Sequence, residues 1–178
     1  DAEFAVLRGS LACGSGSGAR RMKGIKTWLT LTTSQSGTSL TEVMLNDYLQ
    51  NVWSAGTEVN AIYAPMYLKR KISGFTGNAS NKFIDIADRR LVNAVDVYQA
   101  DAAKLVKLFA HKFVSGQTGD INYDLVGLNE EMFRLAYLRK PIMRELAKTG
   151  DATNGEIVGE LTVECLHDSA GFLTQRVL

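Results

Sequence analysis

Between Leu40 and Trp53 the apolar residues Leu40, Met44, Leu45, Tyr48, Leu49, Val52 and Trp53 recur at helical spacing. Ser39 and Glu42 stand at capping-box spacing, and Gly56 supplies a C-terminal stop. The pattern predicts a helix whose inner face carries Leu45, Leu49, Val52 and Trp53. VNAIYA, residues 59–64, is a short apolar run with the length of a buried strand, and it adds Ile62 and Tyr63 to the expected core. Pro65 then opens a second helix, PMYLKRKISGF, that ends near Gly74.

Elsewhere the period is nearer two. Ile25, Thr27, Leu29 and Leu31 alternate, so extended chain is expected from Gly24 to Thr32. LVNAVDVYQ (91–99) and KLVKLFAHKFV (104–114) predict a hairpin about the turn QADAA. LVGLNEEMFRLAYLRKPIM begins extended, takes a helical turn after Asn129 and is extended again towards Leu138. From Ile157 to Cys165 the odd positions are apolar, while Glu156, Glu160, Thr162 and Glu164 occupy the other face, the pattern of a half-buried strand with an acidic solvated side.

Three stretches break these patterns. DAEFAVLRGS carries Phe4, Ala5 and Leu7 without a capping signal ahead of them and reads as the end of a helix whose beginning is missing. The run Gly14, Ser15, Gly16, Ser17, Gly18 is a flexible connector, and AKTGDATNGE (147–156) is a second candidate boundary. Residues 76–90 and 115–123 read as loops.

Composition narrows the class. The chain has 178 residues, 46% hydrophobic and 22% charged, ordinary for a mixed globular fold. Its apolar runs are too short to span a bilayer as a helix. A net charge of +1 gives no reason to expect a dedicated polyanion binder. Cys13 and Cys165 are too few for a disulfide framework or zinc site and are expected as free thiols.

The candidate chemistry is thin. Gly18 to Gly24 has the wrong spacing for a phosphate loop, Ile25 stands where the lysine belongs, and the glycines follow a helix rather than a strand. Neither His111 nor His167 has a second ligand at i+2, i+3 or i+4. Glu156, Glu160 and Glu164 are spread along a strand, which suits a solvated face better than a metal site. The GxSxG pattern of a nucleophile elbow is absent. Basic clusters occur at Arg20, Arg21, Lys23 and Lys26, at Lys69, Arg70 and Lys71, and at Arg89 and Arg90, without an aromatic platform between them. No catalytic, cofactor-binding or metal-binding residue is assigned.

Taken in order, the helix end EFAVLRGS, the glycine-rich exit, ARRMKGIKTWL, the unit LTEVMLNDYLQNVWSAGTEVNAIYAP, ISGF, the hairpin and LRKPIMRELAKTGDATNGEIVGELTVE resemble the C-terminal half of a tailed-bacteriophage major capsid protein. The pattern is similar to the branch typified by phage SU-ten. That resemblance implies an α+β, Hong Kong 97-type capsid fold, with an axial domain and parts of a peripheral domain. The N-terminal arm, the extended loop and most of the spine helix have no counterpart here. It implies residues 1–24 as the spine-helix end and linker, 25–150 as the axial domain, and 151–178 as return strands into the peripheral domain. It further implies a non-enzymatic coat protein, assembled in the host bacterial cytoplasm, whose pentamers and hexamers close an icosahedral virion around double-stranded DNA. The implied partners are other copies of itself, scaffold, portal and decoration proteins, and packaged DNA held by non-specific contact, with no cofactor and no membrane. Arg20, Arg21, Lys69, Arg70 and Lys71 are the expected intersubunit or lumenal charge contacts. A nanocompartment shell resembling encapsulin and, in a different class, a small phosphate- or nucleotide-binding α/β enzyme are the alternatives.

Overall fold

The computed structural model describes Val6 and residues 21–75, 84–85, 90–91, 96–99, 105–114, 123–147, 150–151 and 154–177. The expected Gly14–Gly18 connector, the QADAA turn apart from Gln99 and, apart from Val6, the expected helix end at 1–10 lie outside these residues. The chain runs through a helical turn α1 (Ile25–Trp28), strand β1 (Leu31–Ser34), helix α2 (Glu42–Ser54), β2 (Ala61–Ala64) and helix α3 (Met66–Ser73). Four strands follow: β3 (Ile84–Asp85), β4 (Arg90–Leu91), β5 (Val97–Gln99) and β6 (Leu105–Ala110). β7 (Tyr123–Leu128) leads through a 3-10 turn (Glu130–Met132) into β8 (Phe133–Glu145), and β9 (Gly155–Cys165) and β10 (Gly171–Val177) complete the order.

α2 forms where its apolar stripe predicts it, but Thr41 is the cap: its hydroxyl accepts the Met44 N–H at 3.3 Å. Ser39 instead accepts a hydrogen bond from Lys71 Nζ at 2.6 Å. Gly56, at φ 91°, supplies the left-handed residue after the helix. Leu45, Leu49 and Val52 are buried as expected, whereas Trp53 is 58% exposed. One residue beyond Val52 lies about 100° further round the helix, outside the buried stripe. The inner flank is filled by Tyr48, whose ring packs 5.4 Å from that of Phe172.

α1 replaces part of the extended segment expected from Gly24 to Thr32. The N–H and hydroxyl of Thr27 both bond the Gly24 carbonyl, at 3.0 and 2.7 Å, and close a turn. Ile25 and Leu29, four residues apart, therefore reach the same apolar cluster. The expected hairpin is present as β5–β6, with Val97 opposite Lys107. Its first strand is shorter than expected, since Leu91 pairs with Ile84, and β6 stops at Ala110 rather than Val114.

Six strands form one sheet in the order β1-β10-β7-β2-β6-β5. β1 runs parallel to β10 and β2 parallel to β6, and the other neighbours are antiparallel. One face carries α2 and α3 over a core that includes Leu45, Leu49, Val52, Ile62, Leu68, Ile72, Val106, Leu125 and Phe172. The other holds a smaller cluster, Leu29, Val114, Val126, Leu128 and Leu173, with Ile25, Tyr63 and Phe133 against it. β10 therefore has both faces buried, and the sequence reading had not placed it in this sheet.

Among the described strands, β8 and β9 pair with each other, as a two-stranded ribbon outside the sheet. The expectation of a half-buried β9 needs correction: Val163 is buried near the ribbon's root, but Ile157 is 76% exposed. Nothing among the described residues packs over the distal half of the apolar face.

Candidate assembly surface

The ribbon has two chemically distinct faces. Cross-strand neighbours Arg134 and Glu164, Arg139 and Glu160, and Arg144 and Glu156 line one of them. Leu135 with Val163, Tyr137 with Leu161, and Met143 with Ile157 line the other. The arginines recur every five residues and the glutamates every four, which a regular ladder could not hold on one face. Register shifts between Tyr137 and Arg139, and again between Arg139 and Ile142, absorb the difference. Arg139 Nε lies 3.7 Å from Glu160 Oε2, an exposed pair worth at most about 1 kcal/mol.

At its root the apolar face borders a groove of about 510 Å3 lined by Val6, Ile25, Leu128, Phe133, Leu135 and Leu161, among others. Tyr63 and Glu130 add its polar corner, where the phenol donates a short hydrogen bond to Glu130 Oε1. Burial, then the bond to Glu130 and its negative charge, push the Tyr63 phenol well above its ordinary value. His111 lies edge-on to the Tyr63 ring at the groove wall. Tyr63 also stacks on Phe109, centroids 5.4 Å apart, which continues the apolar surface onto the sheet's open face. There Val97, Leu105 and Phe109 are exposed.

The basic residues singled out in the sequence do not converge. Arg20 lies outside the described residues, and Arg21 is exposed. On α3, Lys69 is held inside the chain by Asp96 Oδ1 at 2.7 Å and the Leu108 carbonyl at 3.1 Å. Lys71 bonds Ser39 and lies 5.3 Å from the Tyr67 ring centroid, while Arg70 is exposed between them. A buried cation that the sequence reading treated only as part of a cluster is Lys26, which meets Asp124 Oδ2 at 2.5 Å and the Val114 carbonyl. A lysine set between the apolar Ile25 and Trp28, beside the exposed Thr27, was the available signal. Among the described residues no group of three or more His, Cys, Asp and Glu side chains is placed to hold a metal ion.

Among the described residues, the exposed apolar side chains on the sheet's open face and on the ribbon, with the groove between them, form the kind of surface that contacts another molecule. The fold is similar to that in the cryo-EM structure of the holo-SrpI encapsulin complex from Synechococcus elongatus PCC 7942, with a TM-score of 0.53 and 13% identity. The match covers 86% of this chain and 56% of the encapsulin chain, so this chain spans little more than half of that protein's length. At this identity the likeness establishes the fold alone, the mixed α+β shell fold expected from the sequence. No curated protein matches the chain. The model of the SU10 major capsid protein family matches residues 1–176, nearly the whole sequence. The chain belongs to the SU10 major capsid protein family.

Proposed function

We propose that the protein is the structural coat of an icosahedral phage head, self-assembling into pentamers and hexamers that enclose double-stranded DNA. The family match over residues 1–176 carries this reading, and the uncovered apolar faces of the ribbon and sheet agree with it. Its work is geometric and not catalytic: identical chains bury complementary surfaces, and rings of them close. Apolar contacts supply most of the association energy, while charged rims set register. Assembly takes place in the host bacterial cytoplasm, with scaffold, portal and decoration proteins as partners, and DNA is held without sequence preference.

The six-stranded sheet with α2 and α3 is assigned as the axial domain and the β8–β9 ribbon as the peripheral part. In this division β10 stays axial, and the peripheral segment is residues 133–165 in place of 151–178. Arg21 and Arg70, both exposed, are the cations assigned to contacts between copies or with the lumen. Lys69 and Lys71 support the fold of α3, and Arg20 keeps the contact role read from the sequence.

Sedimentation of the native source material, with nucleic-acid and protein analysis of any particles, tests the reading. Polyhedral particles that contain this polypeptide and nuclease-protected DNA are expected. Particles filled with a protein cargo would favour the encapsulin-like alternative, which the shared fold makes the second reading. A small species alone would reject both.

A further inference from the structure

The far end of the ribbon carries a reactive dipeptide. Of the nine asparagines in the chain, Asn154 alone is followed by glycine. Gly155 opens β9, and both residues are exposed. The ladder decides where the Gly155 N–H points. Leu146 donates its N–H to the Asn154 carbonyl at 2.9 Å, and Glu145 stands opposite Gly155. Hydrogen-bonded and non-hydrogen-bonded pairs alternate along an antiparallel ladder, so Glu145 and Gly155 form a pair without mutual bonds. The Gly155 N–H is therefore aimed away from β8, at the outer edge of β9, which pairs with no other described strand. The Leu146–Asn154 bond itself lies just beyond the ends of both strands, where local opening costs least. With no Cβ beside it, the Gly155 nitrogen is also open to close approach.

We propose that Asn154–Gly155 is a self-modification site, at which the Asn154 side chain passes through a cyclic imide to aspartate and isoaspartate. The Gly155 nitrogen attacks Asn154 Cγ and gives its proton to water. The bond from Cγ to the side-chain nitrogen breaks, and ammonia leaves. Water then opens the ring. Opening at Cγ leaves aspartate, and opening at the main-chain carbonyl leaves isoaspartate, with an extra carbon in the backbone. Either product adds a carboxylate to a ribbon end that already carries Glu145, Asp151 and Glu156, all exposed. In isoaspartate the extra carbon lies directly before Gly155 and displaces it from its place opposite Glu145. Ammonia is lost to solvent, so the change does not reverse, and its extent records the age of the chain.

The test follows the purified full chain, folded and in urea, through incubation at mildly alkaline pH. Trypsin used at mildly acidic pH, where the ring closes slowly, releases residues 149–176, in which Asn154 is the only asparagine. Mass spectrometry measures the loss of the amide, and enzymatic methylation with a labelled methyl donor detects isoaspartate. In the folded chain Asn154 is expected to convert within about tenfold of its rate in urea, the small cost of opening a strand end. A Cβ at Gly155 would meet the movable end of Met143, at 2.9 Å from Cε, so Gly155→Ala leaves the ribbon paired. By crowding the attacking nitrogen it should slow the conversion in the folded chain by at least about tenfold. A folded chain that keeps the Asn154 amide would overturn the proposal, whether or not the unfolded chain loses it. Aspartate without isoaspartate, or a rate indifferent to Gly155→Ala, would also overturn it, since direct hydrolysis would then explain the loss. None of these outcomes depends on particle formation, so the coat reading stands or falls separately.

Discussion

Lys26 Nζ lies 2.5 Å from Asp124 Oδ2, and this pair, with only 8% and 16% of the side chains exposed, fastens the first described helical turn to the centre of the sheet. The lysine also donates to the Val114 carbonyl, so one ammonium ties together α1, the segment after β6, and β7. Removing only one partner strands a charge in an apolar setting. Lys26→Met is expected to destabilise the protein by about 3 kcal/mol. Adding Asp124→Leu should recover most of that loss, because a buried pair exchanged for apolar side chains is close to neutral. Urea unfolding of both variants checks this, and a double variant as weak as the single one would show that the pair contributes more than charge compensation.

β10 fits between β1 and β7 because two glycines let it approach. A Cβ on Gly127 would meet Phe172 Cε1 at 2.2 Å, and one on Gly171 would meet the Gly127 carbonyl oxygen at 2.3 Å and Leu128 Cα at 2.8 Å. The first obstacle is a side chain and the second is backbone. Gly127→Ala is expected to cost about 1–3 kcal/mol and to be partly rescued by Phe172→Leu. Gly171→Ala should cost at least as much, with no rescue from that change. Thermal unfolding of the two glycine variants, each with and without Phe172→Leu, separates the cases.

Tyr63 gives a pH dependence with a definite sign. Burial raises its phenol, and the Glu130 bond and charge add to the effect. The folded state therefore holds the proton more tightly than the unfolded chain, whose tyrosines titrate at about 10. This contribution to stability is fully present below about pH 10 and is lost as pH rises from there towards the folded value. Tyr63→Phe should accordingly flatten the alkaline fall in stability. Tyr48, raised chiefly by burial, leaves a residual slope in the same direction. Denaturant midpoints from pH 8 to about pH 11.5 check it, and an unchanged slope in Tyr63→Phe would count against the Tyr63–Glu130 link.

What could be read from the sequence was what local chemistry decides. α2, β2, the Pro65 entry to α3 and the turn after Asn129 carry their own periodicity and caps, so neighbours along the chain were enough. α1 was missed because a four-residue turn has almost no periodicity, and the contacts of Lys26 are 88 and 98 residues away in sequence. Trp53 was placed inside because a large aromatic beside a buried stripe looks buried, whereas a helix turn puts it on the far side of Val52. The charged ladder was hidden for a different reason: Arg134, Arg139 and Arg144 alternate between odd and even positions, and only the two bulges bring them to one face. The glutamates of β9, on a regular strand, were seen as one face from the start.

In the proposed shell the exposed apolar side chains, from Val97 and Phe109 on the sheet to Met143 and Ile157 on the ribbon, are buried between chains. Reconstruction of native particles by electron cryo-microscopy measures this directly. An icosahedral map is expected in which the distal ribbon's apolar side lies against protein density and the interior holds DNA. Particles without icosahedral order, or a shell in which Met143 and Ile157 face solvent in every copy, would contradict it.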